Sequence, residues 1–370
     1  MCQSAPLYRA TNGADLDTAR LIMTCYHPLK RWVIGTKINE KGQEIEKAII
    51  TSYNTMNIES ESFNFKYYKE HGKEYIDENF EIIPCGKCIG CRLEYSKQWA
   101  MRCMMEANQW QNNYFLTLTY DEENVPHAKG VKDFETGEIG EVLTLKKEDL
   151  QKFMKRLRIE YQRKLNWKNI RFYGVGEYGT TTERPHYHII AFNLPINDLK
   201  FWYIDKKGSK IFRSEFLEKI WGKGIVAIAD CTWETCAYVA RYMMKKIKGK
   251  EAVELFEDTG RIQEFSLMSR DPGIAKNWYL KNKDTIYKTD EIFLPNKKGM
   301  QKIKPPRYFD NMYDIEEPEL MEAIKQKRKD NAETKEKTRI QIEKIDKLSS
   351  LERLEKLKIQ QIERLKRQKI

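Results

Sequence analysis

Apolar and polar residues follow two periods along this chain. Between 146 and 165, Leu150, Phe153, Met154, Leu157 and Tyr161 recur at three- and four-residue steps. That spacing predicts an amphipathic helix with one buried stripe. Leu93, Ala100, Cys103, Met104 and Ala107 repeat the pattern over 92–112, and helices are also expected over 210–221 and 232–248. The run Tyr114 to Tyr120 has the aromatic and β-branched content of a strand. Ile170 to Tyr178 and His186 to Phe192 read as two strands joined by a turn over Gly179 to Pro185, with a further short strand over 224–229. The polar, glycine-bearing segment 121–143 is expected to be a long loop or hairpin. In the first eighty residues only short apolar pieces, Arg31 to Gly35 and Ala48 to Thr51, suggest strands.

Past residue 300 the chain turns charged and poor in aromatics, and from 315 it predicts one or two long helices. Their apolar positions (Ile342, Ile345, Leu348, Leu351, Leu354, Leu357, Ile362, Leu365) drift around the helix and hold no lasting heptad, so a solvated helical tail is expected. Three segments follow: 1–83, mixed β and unassigned; 84–300, the catalytic domain, with its cysteine knuckle at 85–91; and 301–370, the tail.

Composition narrows the classes. With 41% hydrophobic residues among 370 the chain supports a real core. No run of eighteen apolar residues occurs, which argues against a membrane span. The beginning, Met1-Cys2-Gln3-Ser4-Ala5-Pro6, has no basic-then-apolar signal pattern, so a cytosolic setting is expected, with the eight cysteines as thiols or metal ligands. The net charge of +11 is mostly local: residues 321–370 carry 16 Lys and Arg against 9 Asp and Glu, and the rest carries 50 against 46. Bulk basicity alone therefore does not mark the folded part as a polyanion binder.

Candidate chemistry centres on His186-Tyr187-His188, two of only five histidines. On a strand these two side chains share one face, roughly 7 Å apart at ~3.3 Å per residue. Either they line a solvated face or they share a metal ion. Glu177 lies near the end of the preceding strand, and the turn can lay that strand antiparallel to the histidines, bringing the carboxylate beside one of them. One carboxylate with two imidazoles suits Mn²⁺ and tolerates Mg²⁺. Glu183, in the turn, is a weaker candidate.

Tyr238 and Tyr242 are four residues apart on an expected helix and share its face, with Lys245 and Lys246 just beyond. Such a pair serves packing as readily as chemistry, because a phenol is a poor nucleophile without a nearby cation or base. Phe115-Leu116-Thr117-Leu118-Thr119-Tyr120 places small hydroxyls on one strand face. Cys85-x-x-Cys88-x-x-Cys91 reads as a metal knuckle lacking one ligand, which Cys103, Cys25 or His27 could supply; the same run also occurs in iron–sulfur proteins. Zn²⁺ bound there would be structural. Three packed thiols are the alternative.

The order of these motifs, apolar-Leu-Thr-Leu-Thr, then His-x-His, then Tyr-x-x-x-Tyr-x-x-Lys, resembles the three motifs of the HUH endonucleases. Pro84-Cys85-Gly86-Lys87-Cys88-Ile89-Gly90-Cys91-Arg92, Gly176-Glu177-Tyr178-Gly179, Arg184-Pro185-His186-Tyr187-His188 and Met268-Ser269-Arg270-Asp271-Pro272-Gly273-Ile274 are similar to the replication initiators of gokushovirus-type Microviridae. The resemblance spans about 84–280; outside it only Cys25-Tyr26-His27-Pro28 matches. It implies an α+β, RRM/ferredoxin-like antiparallel sheet flanked by helices. It implies a rolling-circle initiator that nicks and rejoins single-stranded origin DNA in the bacterial host cytoplasm. Tyr238 and Tyr242, with Lys245 and Lys246, would form a 5′-phosphotyrosyl link and leave a 3′-OH for host polymerase and helicase. His186, His188 and Glu177 would hold Mg²⁺ or Mn²⁺, and Arg241, Thr117, Thr119 and Arg270 would contact DNA. Trp202, Tyr203, Trp221 and Trp233 are further candidates for base stacking. A single-strand transposase or relaxase shares the site. A zinc-bearing nucleic-acid-binding protein without enzymatic activity is the alternative from another class.

Overall fold

The computed structural model describes residues 25–39, 42, 44–55, 80–133, 136–179, 181–206, 208–245, 256, 259–296 and 299–367. They belong to two units, Arg92–Ile324 and Met1–Cys91 with Lys325–Ile370. These boundaries cut the chain elsewhere than the composition shifts at 83 and 300.

The first unit holds a three-stranded antiparallel sheet of β1 (Leu29–Ile38), β2 (Glu44–Ser52) and β3 (Phe80–Ile83), ordered β2-β1-β3. Trp32 and Ile34, two residues apart on β1, face inward together. The indole of Trp32 donates to Thr51 Oγ1 at 2.9 Å.

Helix α1 (Ile89–Ala107) leads into the second unit. There follow β4 (Asn113–Thr119), the hairpin β5 (His127–Asp133) and β6 (Glu138–Leu143), α2 (Lys147–Leu165), β7 (Arg171–Tyr178), β8 (Pro185–Phe192), β9 (Lys200–Ile204), β10 (Lys210–Arg213), α3 (Glu215–Trp221), β11 (Val226–Asp230) and α4 (Trp233–Lys245). The unit closes with β12 (Phe265–Met268), α5 (Lys276–Thr289), β13 (Ile292–Asn296), β14 (Gly299–Ile303) and α6 (Arg307–Glu316). Helices α7 (Pro318–Glu343) and α8 (Lys347–Arg367) complete the chain.

Seven strands form one antiparallel sheet in the order β12-β7-β8-β4-β11-β10-β9. Its heart is a strand–helix–strand–strand–helix–strand run, β4-α2-β7-β8-α3-β11, in which the first strand lies between the third and the fourth. One face meets α2 and α3: Leu116, Tyr187 and Ile189 pack on Leu150, Phe153, Leu157 and Trp221. All five apolar positions read from the 146–165 period are buried. On the other face, Tyr173, Val175, Ile190 and Phe192 pack on Ala100 and Cys103 of α1 and on Cys236, Val239 and Ala240 of α4. A third core joins Tyr279, Ile286 and Tyr287 of α5 to Phe309 and Tyr313 of α6, so aromatic residues just past 300 belong to the folded body.

Three local differences from the sequence reading have simple causes. The polar stretch 121–143 is the hairpin β5–β6. The expected helix over 210–221 is split: residues 210–213 pair with β9 and β11, and Ser214 caps the shorter helix by accepting from the Leu217 N–H at 3.1 Å. The long C-terminal helix breaks at 344–346, where Lys344 is left-handed (φ 52) and Asp346 accepts from the Leu348 and Ser349 N–H groups. Gly224 (φ +138) permits a close crossing, since a Cβ there would stand 2.4 Å from the Thr119 carbonyl oxygen.

Candidate functional site

Three adjacent strands bring the candidate site together. Glu177 pairs with His186 across β7–β8, and Val175 with His188. On the other side Thr119 pairs with His186 and Thr117 with His188 across β4–β8. Period-two alternation puts Glu177, His186, His188, Thr117 and Phe115 on the face that α4 covers.

Glu177 Oε1 lies 2.8 Å from His186 Nε2 and 2.8 Å from His188 Nε2. The carboxylate is 2% exposed. Burial alone would raise its pKa, but the two imidazoles overcome that and hold it below the ordinary carboxylate value. His186 Nδ1 donates to the Arg184 carbonyl at 3.0 Å. A neutral imidazole with Nδ1 protonated presents the bare lone pair of Nε2 to Oε1. Two lone pairs 2.8 Å apart repel unless a proton or a metal ion lies in their field. Thr117 Oγ1, 3.0 Å from Nδ1, orients the His188 ring in the same way. The other carboxylate oxygen, Glu177 Oε2, is buried without a hydrogen-bond partner among the described residues.

These donors fit a divalent cation. Ligands at ~2.1 Å and right angles to each other stand about 3.0 Å apart, close to the spacing seen here. The three ligand atoms all lie within 4.8 Å of one another.

Tyr238 of α4 packs against the site: its ring centroid is 5.2 Å from that of His188 and 6.0 Å from that of Phe115, edge-on to both. Phe115 itself stacks on His188 at 5.1 Å. Tyr242 and Lys245 follow on the same helix, but their side chains, and Lys246 altogether, lie outside the described residues. Arg241 is exposed and its Nε donates to the Ala237 carbonyl at 3.2 Å.

Not every candidate arrives at this place. Arg270 is exposed beside an open cavity lined by Arg158, Trp167 and Arg171, at the far end of β7; six strand residues, ~20 Å, separate Arg171 from Glu177. Thr119 Oγ1 donates to the Ile225 carbonyl at 3.3 Å. Glu183 pairs with Arg261 at 2.7 Å, away from the histidines. Trp221 is fully buried among Tyr120, Phe153 and Tyr187, so it offers no stacking surface, and Trp233 is partly buried in the core; Trp202 and Tyr203 remain exposed.

Cys103 is corrected as a knuckle ligand. It is fully buried among sheet and α4 residues, and twelve helical residues, about 18 Å of rise, separate it from Cys91. The sulfur that joins Cys85, Cys88 and Cys91 is that of Cys25. His27 instead contacts Glu355 Oε2 at 2.6 Å.

Sequence reasoning missed the anchoring of the site from behind. Tyr187, between the two histidines, faces the opposite core; its hydroxyl donates to the Lys146 carbonyl at 2.7 Å and lies 2.7 Å from Tyr120 Oη, which donates to Asp149. Burial pushes the Tyr187 phenol up to about 12, so it stays neutral and structural. Its central place in His-x-His was the available signal.

The span that carries this strand-borne carboxylate and imidazole cluster, with its tyrosine-bearing helix, is also the one that comparison with known proteins singles out. Residues 113–247, from the first residue of β4 to just past α4, match the family model of the replication-associated protein ORF2. The chain is 33% identical over 279 residues to the replication-associated protein ORF2 of Spiroplasma virus 4, covering 72% of this chain and 81% of that protein. It is 33% identical over 240 residues to the replication-associated protein VP4 of Bdellovibrio phage phiMH2K, covering 64% of this chain and 69% of the relative. A replication-associated protein ORF4 of Chlamydia phage 1 is 32% identical over 170 residues, 44% and 38% of the two chains. The chain belongs to this family of phage replication-associated proteins. No solved structure matches it. Among the described residues no helix is long and apolar enough to cross a membrane.

Proposed function

We propose that this protein is the rolling-circle replication initiator of a small phage, an HUH-type enzyme that nicks and rejoins single-stranded origin DNA. The observation that carries the reading is the contact of one carboxylate oxygen, Glu177 Oε1, with both histidine Nε2 atoms at 2.8 Å, beneath Tyr238. The strand order around β4, β7, β8 and β11 is also that of a ferredoxin-like sheet. The relatives are named for replication.

His186, His188 and Glu177 would hold Mg²⁺ or Mn²⁺, which polarises the scissile phosphodiester and steadies the charge developing on it. Arg184 and Thr117 fix the two imidazoles so that both Nε2 atoms converge. Tyr238 or Tyr242 attacks phosphorus: the tyrosyl O–P bond forms, the phenol loses its proton, and the P–O3′ bond breaks as the departing oxygen gains one. The product is a 5′-phosphotyrosyl link and a free 3′-OH that host polymerase can extend. Because ester replaces ester, rejoining requires no nucleotide hydrolysis. Two nucleophiles one helical turn apart suit alternation between the start and the end of a round. Lys245, Lys246 and Arg241 are the cations assigned to the phosphates and to stabilising a phenolate.

The test is a denaturing gel of protein with cognate origin oligonucleotide and Mn²⁺ or Mg²⁺. A covalent adduct is expected, lost in Tyr238→Phe/Tyr242→Phe and in Glu177→Gln. An adduct that survives the double tyrosine change removes the nucleophile assignment. DNA binding without any adduct would favour a non-enzymatic binding protein.

A further inference from the structure

Outside this site, four sulfurs converge. Those of Cys25, Cys85, Cys88 and Cys91 all lie within 4.8 Å of one another. Cys85 Sγ is 4.0 Å from Cys91 Sγ, and Cys88 Sγ is 4.0 Å from Cys25 Sγ. All four thiols are free. Sulfurs ~2.3 Å from a central zinc ion stand about 3.8 Å apart at the corners of a tetrahedron, so the spacing matches one ion. It is too tight for a cluster whose cysteines sit on different irons.

Ordinary thiol packing also gives contacts near 4 Å. What packing does not require is the crown of backbone donors. The Cys85 N–H donates to Cys25 Sγ at 3.2 Å, the Cys88 and Lys87 N–H groups to Cys85 Sγ at 3.3 and 3.4 Å, and the Tyr26 N–H to Cys88 Sγ at 3.4 Å. Such donors stabilise thiolate charge. The turn that aims them depends on Gly86, whose φ of +69 a side chain would strain. Hydrogen bonds from Cys25 and Cys91 hold Cys88 below the ordinary thiol range, whereas the bond to Cys88, with burial, pushes Cys25 up to about 12. One negative charge is thus shared by several sulfurs, and a cation among them would neutralise it.

We propose that Cys25, Cys85, Cys88 and Cys91 bind one tetrahedral Zn²⁺ ion, separate from the Glu177–His186–His188 group and closed by Cys25. Binding sends the remaining thiol protons to solvent and changes no oxidation state. The ion ties residue 25, just before β1, to the turn that follows β3, closing a loop of some sixty residues around a three-stranded sheet too small to be stable on its own core.

The full chain, purified without chelators under reducing conditions, should carry one zinc per molecule by plasma mass spectrometry. In competition with a chromogenic chelator, Cys25→Ser should lose zinc at least tenfold more readily, while Cys103→Ala and His186→Ala/His188→Ala should retain it. Cobalt substitution should give sulfur-to-metal charge transfer and the intense d–d bands of a tetrahedral site. Cys25→His should keep that geometry with the bands shifted by the nitrogen ligand, which separates ligand loss from failure to fold. Absence of metal after zinc reconstitution, zinc loss in Cys103→Ala but not in Cys25→Ser, octahedral cobalt, or iron in place of zinc would each overturn the proposal.

Discussion

Thr117 Oγ1 lies 3.0 Å from His188 Nδ1, so a residue expected to touch DNA is instead occupied in holding an imidazole. That contact fixes which ring nitrogen of His188 faces Glu177. Thr117→Val keeps the shape and removes the oxygen. It should cost about 1 kcal/mol of stability and lower Mn²⁺ affinity or nicking on the order of 10- to 100-fold. Manganese electron paramagnetic resonance titration and single-turnover cleavage check the two halves separately.

Gly176 precedes the candidate metal-binding carboxylate, and a Cβ there would lie 2.9 Å from the Phe265 ring and 3.1 Å from Leu145. Gly176→Ala should therefore push β7 away from its neighbours, at ~1–3 kcal/mol for overpacking. Urea denaturation reads this loss, and cleavage should fall more than DNA binding, because Glu177 shifts with its strand.

Arg171 donates to Glu106 at 2.6 Å with both side chains buried, and Glu106 also accepts from the Ala275 N–H. Arg171→Ala leaves a buried carboxylate unpaired and should cost about 3–5 kcal/mol. Equilibrium unfolding measures it. Arg171→Ala with Glu106→Gln should recover part of the loss, and no recovery would show that the Arg171 bonds to the Asp271 and Pro272 carbonyls dominate.

Two tryptophans of one local stretch should respond in opposite ways. Trp202, 43% exposed on β9, lies beside Arg213, while Trp221 is fully buried. If β9 stacks single-stranded DNA, Trp202→Ala should weaken oligonucleotide binding by ~1–3 kcal/mol and leave the melting temperature unchanged. Trp221→Ala should instead cost about 3–5 kcal/mol of stability. Fluorescence anisotropy and thermal melts distinguish them, and unaltered anisotropy in Trp202→Ala removes β9 from the DNA path.

The site was legible where short-range rules decide. The turn between β7 and β8 is local, so the pairing of Glu177 with His186 followed from nine residues of sequence and strand alternation. The stripe of α2 followed from its period. Closure over long separations was not legible: nothing in the spacing of the cysteines distinguished Cys25, sixty residues away, from Cys103, and only the fold shows Cys103 drawn into the sheet core. The β9–β10 hairpin was hidden because Lys210 to Trp221 has a helical period, while pairing with β11 claims its first residues. Trp221 shows the same limit, since composition cannot distinguish an aromatic that stacks bases from one that fills a core.

The parts of the site occur along the chain in the order Thr117, Glu177, His186 and His188, Tyr238. The sheet that gathers the first four is complete on its β7, β8 and β4 side before α4 begins. During synthesis the ribosome therefore releases the ion-binding pocket before the helix that bears the phenols. A chain interrupted between residues 193 and 232 would hold the pocket and lack the attacking group. Such fragments could occupy an origin but not cut it, so premature termination in this window would yield competitors of the intact protein and not merely inert debris.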